Sequence, residues 1–252
     1  MFLPGWISHE DIWRELIDEL STAAPVYHLE PRDKPSAILP NRCGFTMGDH
    51  ARDLQQVLSS LRLSDGEFFM VGSSTGSNII IEHLTRGGIA PAALALMLPM
   101  RRYVFPAWGF PFMFLPYQLY HVLKPAIRLH LRLCESDRST DRTMLERNYY
   151  SLERLEPKRA QRSARALRLY RFPEDLSRIS MPALVVGADR DRMHEPGLAA
   201  EMARSLPRGV ELEMGVSGRA HTAWMAKKIL EFFSGQGLER AGAARLSERN
   251  PL

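Results

Sequence analysis

The sequence predicts an α/β protein in which a mostly parallel sheet carries helices on both faces. Short apolar segments alternate with helical segments along most of the chain, which is the pattern of strand–helix–strand units. Several of the apolar segments run directly into glycine-rich or acidic turns, as buried strands do. The 252 residues, 45% hydrophobic and 25% charged, are those of a soluble globular protein, and the single alternation favours one large domain.

The elements follow in order along the chain. Strands are predicted at Phe2–Leu3, Val26–Leu29, Phe68–Val71, Ala92–Leu98, Ala183–Val186 and Val210–Met214. Helices are predicted at about Glu10–Leu20, Asp49–Leu61, Asn78–Leu84, Pro196–Ser205 and Thr222–Phe233. We therefore expect a core built from residues 1–98 and 177–235, an insertion at 99–176, and a partly disordered tail at 236–252.

The turn Gly72-Ser73-Ser74-Thr75-Gly76 lies between an apolar strand and an apolar helix. A sharp strand-to-helix turn exposes the side chain at its apex, here Ser74, and the two glycines allow neighbouring backbone to approach. The helix that follows directs backbone N–H groups and the positive end of its dipole toward that side chain. This is the environment that a nucleophilic serine requires.

Acidic residues and a histidine follow the later strands. The segment ending at Val186 runs into Gly187-Ala188-Asp189-Arg190-Asp191, and the strand ending at Met214 is followed by a loop that reaches His221. The order Ser, Asp, His, each after a predicted strand, resembles the catalytic triad of the α/β-hydrolase superfamily. The resemblance extends from Leu3-Pro4-Gly5-Trp6 to the helix that ends near Phe233.

The resemblance implies a role for each of these residues. Ser74 would be the nucleophile, His221 the general base, and Asp191 the residue that orients the histidine, with Asp189 as the alternative acid. The backbone N–H of Thr75 and that of Trp6 would form the oxyanion hole. The other seven histidines are interpreted as ordinary surface or core-edge residues: His9, His28, His50, His83, His121, His130 and His194.

Two departures from the family pattern bear on the expected fold. Pro4 stands where relatives often have a histidine, which a backbone donor at Trp6 tolerates. Relatives also have a hairpin of one or two strands before this position, and this chain begins at it, so either the N-terminal strands are trimmed or the chosen start codon is too far downstream. Loss of the hairpin would expose a sheet edge and would favour a homodimer.

The insertion is rich in aromatic residues and resembles the cap that covers the active site in this family. Eight of the 22 aromatic residues lie in eighteen positions: Tyr103, Phe105, Trp108, Phe110, Phe112, Phe114, Tyr117 and Tyr120. Such a roof suits an apolar acyl or aromatic substrate, although the same residues could simply join cap to core. Contact with a membrane, suggested by Lys124, Arg128 and Arg132 among aliphatic residues, is a less favoured interpretation. The arginines at 159, 162, 165, 168 and 171 are interpreted as a solvated helix face.

Common metal-binding and cofactor-binding motifs are absent from the sequence. The sequence contains no His-Glu-x-x-His, Cys-x-x-Cys or Gly-x-x-x-x-Gly-Lys pattern, so no metal and no cofactor is expected. The formal charge of +4, without a nucleic-acid-binding motif, gives no reason to expect a nucleic-acid partner. Cys43 and Cys134 lie far apart, and the N-terminus has no signal-peptide pattern, so we expect a cytoplasmic protein.

The sequence therefore favours a serine hydrolase that needs no cofactor and cleaves a small-molecule ester through an acyl-enzyme on Ser74. The same triad also serves amide and carbon–carbon bond hydrolysis and acyl transfer. A binding or accessory protein that kept the fold without turnover is the alternative from another functional class.

Overall fold

The computed structural model describes residues 1–40, 42–105, 107, 110, 113–135, 142–191 and 193–236. Its described residues contain one five-stranded parallel sheet with the strands in sequence order. The strands β1 to β5 are Phe2–Leu3, Phe69–Ser73, Ala93–Met97, Ala183–Gly187 and Gly209–Glu213. All five point the same way, so their C-terminal ends meet at one edge of the sheet, where α/β proteins place their sites.

The N-terminal side of the sheet is its least regular part. The strand β1 has only two residues, which pair with Val71 and Gly72 of β2. The strand predicted at Val26–Leu29 is reduced to an isolated bridge between Phe2 and His28. Backbone hydrogen bonds from Phe2 to Tyr27 and from Leu29 to Phe2 nevertheless hold this segment beside β1.

Helices cover both faces of the sheet, which confirms the predicted architecture. The helices α1 to α8 are Arg14–Ser21, Met47–Ser60, Thr75–Thr85, Tyr120–His130, Arg142–Arg154, Pro157–Leu167, Leu198–Ser205 and Ala223–Ser234. One face packs against α2, α3 and α7 through a buried cluster that includes Leu54, Ile80 and Met202. The other packs against α1 and α8 through a cluster that includes Leu16 and Ile229.

The helices α4, α5 and α6 lie in the insertion between β3 and β4. A π-helical turn at Leu131–Glu135 continues α4. In the described part of the chain, no helix combines the length and the apolar character needed to cross a lipid bilayer. The predicted disordered tail lies outside the described residues, apart from Gln236.

The arginines of α6 do not form the solvated face expected from their spacing. Arg159 donates to the backbone carbonyl of Ala37 at 2.8 Å, Arg162 donates to that of Cys43, and Arg165 donates to that of Met113. Because these carbonyls lie in the loops between the elements, the arginine side chains attach the insertion to the loops around it.

Candidate active site

Ser74 occupies a strained turn at the C-terminal end of β2. Its backbone has φ of 50° and ψ of −113°, outside the regions that non-glycine residues favour, and α3 begins at the next residue. A Cβ on Gly76 would lie 2.1 Å from the carbonyl oxygen of Leu3, so only glycine allows β1 and α3 to approach here. The tight packing of this turn holds the hydroxyl of Ser74 at the end of the sheet.

The hydroxyl of Ser74 contacts His194, a residue of the loop after β4. The Ser74 Oγ lies 3.0 Å from His194 Nε2, and His194 Nδ1 lies 2.6 Å from Asp191 Oδ2. The Sδ of Met100 lies 3.5 Å from the same hydroxyl. The three side chains of Ser74, His194 and Asp191 thus form one continuous hydrogen-bonded chain.

The carboxylate of Asp191 is buried and stays ionised. Its second oxygen accepts the backbone N–H of Met193 at 2.7 Å. Burial favours a higher pKa for this carboxyl, but the hydrogen bonds and the charge of His194 outweigh it and leave the pKa below its ordinary value. Asp189, the alternative acid, is exposed, so the geometry favours Asp191.

His221 makes no hydrogen bond to Ser74 in the described part of the chain, and here the geometry departs from the sequence prediction. The residue ends a short 3₁₀ helix, Ser217–His221. Its ring stacks on that of Trp13 with the centroids 3.8 Å apart, and its Nδ1 has no hydrogen-bond partner among the described residues. Burial lowers the pKa of His221 to about 3 and keeps the ring neutral. Stacking on Trp13 and a hydrogen bond to the backbone of Ile12 therefore hold the imidazole, in place of a hydrogen bond to Ser74.

The contact of His194 with Ser74 is not evident from the order of strands, because the family pattern places the histidine after the last strand. His194 follows the penultimate strand instead, three residues after the acid with which it bonds. The short spacing Asp191-x-x-His194 is a local signal that sequence reasoning could have used. It allows one turn of the backbone to bring a carboxylate to an imidazole without any long-range contact.

Two backbone N–H groups are free to act as oxyanion donors. Within the described residues, the N–H groups of Thr75 and Trp6 make no hydrogen bond. Thr75 is the first residue of α3, so the positive end of the helix dipole lies at the same place. The loop of Trp6 is close to Ser74, since a Cβ built on Gly5 would lie 3.6 Å from the Cβ of Ser74.

Polar side chains of α3 fix the segment behind the nucleophile. Asn78 donates to the carbonyl of Met100 at 2.6 Å and accepts its N–H at 3.0 Å. Ser77 donates to the carbonyl of Met97 at 2.8 Å. The buried phenol of Tyr103, whose pKa is raised by burial, donates to the hydroxyl of Thr75 at 3.2 Å. These bonds leave little freedom in the floor of the site.

A cavity of about 430 Å³ opens above Ser74, and its lining is mostly apolar. Four of the eight aromatic residues in the predicted roof line it: Tyr103, Phe105, Tyr117 and Tyr120. Phe110 and Phe114 are 41% and 62% exposed, and neither is among the lining residues. Trp108 and Phe112 lie outside the described residues. The helices α4 to α6 supply much of the remaining wall, including Leu123, Ile127 and Leu152.

One group of side chains in the described part of the chain has the spacing of metal ligands. The ligand atoms of Glu10, His28 and Glu30 all lie within 4.8 Å of one another. None of the three lines the cavity above Ser74. Catalysis along the Ser74–His194–Asp191 chain would not involve them.

Comparison with known proteins identifies a family for the chain. The model of the alpha/beta hydrolase family matches residues 1–227. No curated protein matches the chain in sequence.

Solved structures with similar folds include two hydrolases and an enol-lactonase. A hydrolase from Oleispira antarctica, olei00960, is 16% identical, with a TM-score of 0.74 over 92% of this chain and 89% of that one. A thermophilic esterase from Thermogutta terrifontis is 16% identical, with a TM-score of 0.74 over 93% and 89%. The enol-lactonase from Burkholderia xenovorans is 16% identical, with a TM-score of 0.76 over 92% and 90%. At these identities, the likeness shows a shared fold.

Proposed function

Because the chain belongs to the alpha/beta hydrolase family, we propose that it is a serine hydrolase that cleaves carboxylic esters through an acyl-enzyme on Ser74. The observation that carries the proposal is the hydrogen-bonded chain from Asp191 through His194 to Ser74, with spacings of 2.6 and 3.0 Å. A serine hydroxyl is a weak nucleophile unless a base takes its proton, and this chain supplies the base and its orienting acid.

The proposed reaction runs in two halves. His194 Nε2 accepts the proton of Ser74 while Oγ attacks the carbonyl carbon, and the N–H groups of Thr75 and Trp6 bind the resulting oxyanion. The imidazolium then protonates the leaving alcohol, which departs and leaves the acyl group on Oγ. A water molecule, deprotonated by His194, releases the acid and restores Ser74. Asp191 accepts the Nδ1–H throughout and stabilises the charged imidazole.

We propose His194 as the base because its contacts match that task and those of His221 do not. A base must reach the nucleophile and must be oriented by a third group. His194 meets both conditions, whereas His221 is stacked on Trp13 with Nδ1 unpartnered. His221 lines the same cavity, so a ring rotation that carries it to Ser74 is the competing assignment.

The cavity supports a substrate with an apolar acyl or aromatic part. Apolar pockets with a few placed polar groups favour such ligands. Two of the similar structures are named as an esterase and an enol-lactonase, and a lactone is a cyclic ester. An ester is thus the substrate class that fits both the cavity and the names of the structural neighbours.

The proposal is tested with Ser74→Ala. The wild type should be labelled by a fluorophosphonate probe and should hydrolyse short p-nitrophenyl esters, and the variant should lose labelling and at least ~10³-fold in kcat/KM. Labelling that persists in the variant would contradict the assignment of Ser74. A folded wild type that neither labels nor turns over would instead favour a non-catalytic binding protein. Labelling without ester turnover would indicate an amide, a carbon–carbon bond or an acyl acceptor as the natural target.

The apolar wall is tested with two adjacent residues of α4. Leu123 lines the cavity, whereas Val122 is 74% exposed and does not. Leu123→Trp should lower kcat/KM for long-chain p-nitrophenyl esters about tenfold relative to acetate, because the larger ring fills space that the acyl chain needs. Val122→Trp, its matched control, should leave the chain-length profile unchanged. An unchanged profile in both variants would place the acyl chain elsewhere.

We also propose the cytoplasm as the location of the protein, on the cysteine content alone. The short and irregular N-terminal side of the sheet, formed by β1 and the isolated bridge to His28, is the reason to look for a homodimer. Sedimentation of the purified protein, with and without vesicles, would test for a dimer and for membrane contact.

A further inference from the structure

The loop that carries the N–H of Trp6 is held in an unfavourable conformation. Ile7, the next residue, has φ of 50°, which is a genuine outlier for a β-branched side chain. Such a conformation persists only where surrounding contacts hold it. The contacts that hold this loop therefore control where the N–H of Trp6 points.

Ser8, within the loop, donates from its hydroxyl to the carbonyl oxygen of Gly5 at 2.8 Å. Two adjacent charged residues supply further contacts from outside the loop. Lys34 Nζ donates to the carbonyl oxygen of Gly5 at 2.7 Å, and Asp33 Oδ2 accepts the backbone N–H of Ile7 at 3.0 Å. Asp33 and Lys34 are 3% and 2% exposed, and their charged atoms lie 3.4 Å apart. The buried pair thus binds the backbone of the loop on both sides of Trp6.

The bond from Lys34 acts directly on the proposed oxyanion donor. The carbonyl of Gly5 and the N–H of Trp6 belong to the same peptide group, which is planar and trans, so the two point in opposite directions. Lys34 and Ser8, which both donate to this oxygen, therefore fix the direction of the N–H. A cation on the oxygen also polarises the peptide and strengthens its N–H as a donor.

Burying two charges is costly, and the sequence could have filled this space with apolar side chains. A buried ion pair often stabilises a protein no more than apolar residues of the same volume would. Stability alone therefore gives little reason for charges here. Both charges instead bind the backbone of one loop, and that loop carries the proposed donor.

We propose that Asp33 and Lys34 are positioning residues that hold the N–H of Trp6 in the oxyanion hole. The proposal rests on the proposed function, since it presumes that an oxyanion forms at Ser74. Neither residue lines the cavity above Ser74, so both act through the loop rather than on the substrate.

The test compares Lys34→Met, which removes the donor, with Lys34→Gln, which keeps an N–H for the carbonyl of Gly5. Lys34→Met should lower kcat for a p-nitrophenyl ester about 30-fold and change KM less than threefold, because the oxyanion forms after the substrate is bound. Lys34→Gln should recover part of that loss. A folded Lys34→Met with a kcat within threefold of the wild type would overturn the proposal, and so would a loss confined to KM.

A neighbouring ion pair provides the matched control. Arg32, which precedes Asp33 in the sequence, binds Asp53 through two hydrogen bonds of 2.5 and 2.6 Å. Among the described residues, neither side chain has a hydrogen bond to the Trp6 loop. Asp53→Asn should lower the unfolding midpoint and leave kcat unchanged. If Lys34→Met does not fold, Asp33→Ala decides instead, because it removes the acceptor of the Ile7 N–H. That variant should lose between about three- and tenfold in kcat, and a folded variant with a kcat within threefold of the wild type would overturn the proposal.

The wild type separates this proposal from the proposed function. A wild type that fails to label with the fluorophosphonate probe would refute the serine hydrolase. A wild type that labels, beside a fully active and folded Lys34→Met, would refute only the positioning role.

Discussion

The loop after β4 and the loop after β5 each bring a histidine to the same cavity, but they hold it in different ways. His194 is held by polar contacts, with a carboxylate on one ring nitrogen and the hydroxyl of Ser74 on the other. His221 is held by an aromatic face and the backbone of Ile12, and its Nδ1 has no partner among the described residues. A histidine works as a base only when its nitrogens have the right neighbours, so contacts decide between the two loops where chain order cannot.

The largest expected effect is the difference in activity between a variant of His194 and a variant of His221. His194→Ala should lower kcat/KM about 10³-fold, since it removes both the base and the partner of Asp191. His221→Phe, which keeps a ring against Trp13, should change kcat/KM less than about tenfold because it leaves the Ser74–His194–Asp191 chain intact. Both are measured by initial rates on the same ester, with folding checked by circular dichroism. The reverse ranking would make His221 the base and the β5 loop the catalytic one.

A smaller effect is expected at the acids of the β4 loop. Asp191→Asn should lower kcat about 10²-fold, because an amide cannot fix the imidazole in the required tautomer or stabilise its charge. Asp189→Asn serves as the control, as its side chain is exposed, and should stay within twofold of the wild type. If Asp189→Asn were the more damaging change, the carboxylate seen beside His194 would not be the working acid.

The sequence predicts the turn at Ser74 and most of the strands around the site well, because these features depend on local sequence patterns. The turn at Ser74 requires glycines at 72 and 76, and both lie where a Cβ would clash with backbone. The strands β2 to β5 are within two residues of their predicted bounds, because buried parallel strands are continuous apolar runs with clear ends. The strand at Val26–Leu29 is the exception, since its pairing depends on the two-residue β1.

Long-range contacts are what the sequence could not show. The stacking of Trp13 on His221 joins residues more than 200 positions apart, and no periodicity signals it. The spacing of the arginines of α6 predicts a solvated face. Arg159 and Arg162 nevertheless bind backbone carbonyls in a loop more than 100 positions away in the sequence. Asp33 and Lys34 likewise lie in a proline-rich loop with no pattern to distinguish them, and only the fold brings them to Gly5 and Ile7.

The burial of His221 has a further consequence, which is a loss of stability in acid. In the unfolded chain its imidazole takes up a proton near pH 6.5, whereas in the folded protein burial lowers its pKa to about 3. Above pH 6.5 the ring is neutral in both states and adds no pH dependence. As the pH falls from 6.5 toward 3, only the unfolded state gains the proton, so the free energy of unfolding decreases, by at most about 1.4 kcal/mol per pH unit for one group.

His221→Phe should therefore flatten the dependence of the urea midpoint on pH between 6.5 and about 4. The slope will not vanish, because burial also lowers the pKa of His28 to about 4 and those of His50 and His83 below their ordinary value. An equal slope in the variant and the wild type would mean that His221 is not held neutral against Trp13. The ring would then be free to take the proton of Ser74, so this small effect bears on the same choice between the two loops as the largest one.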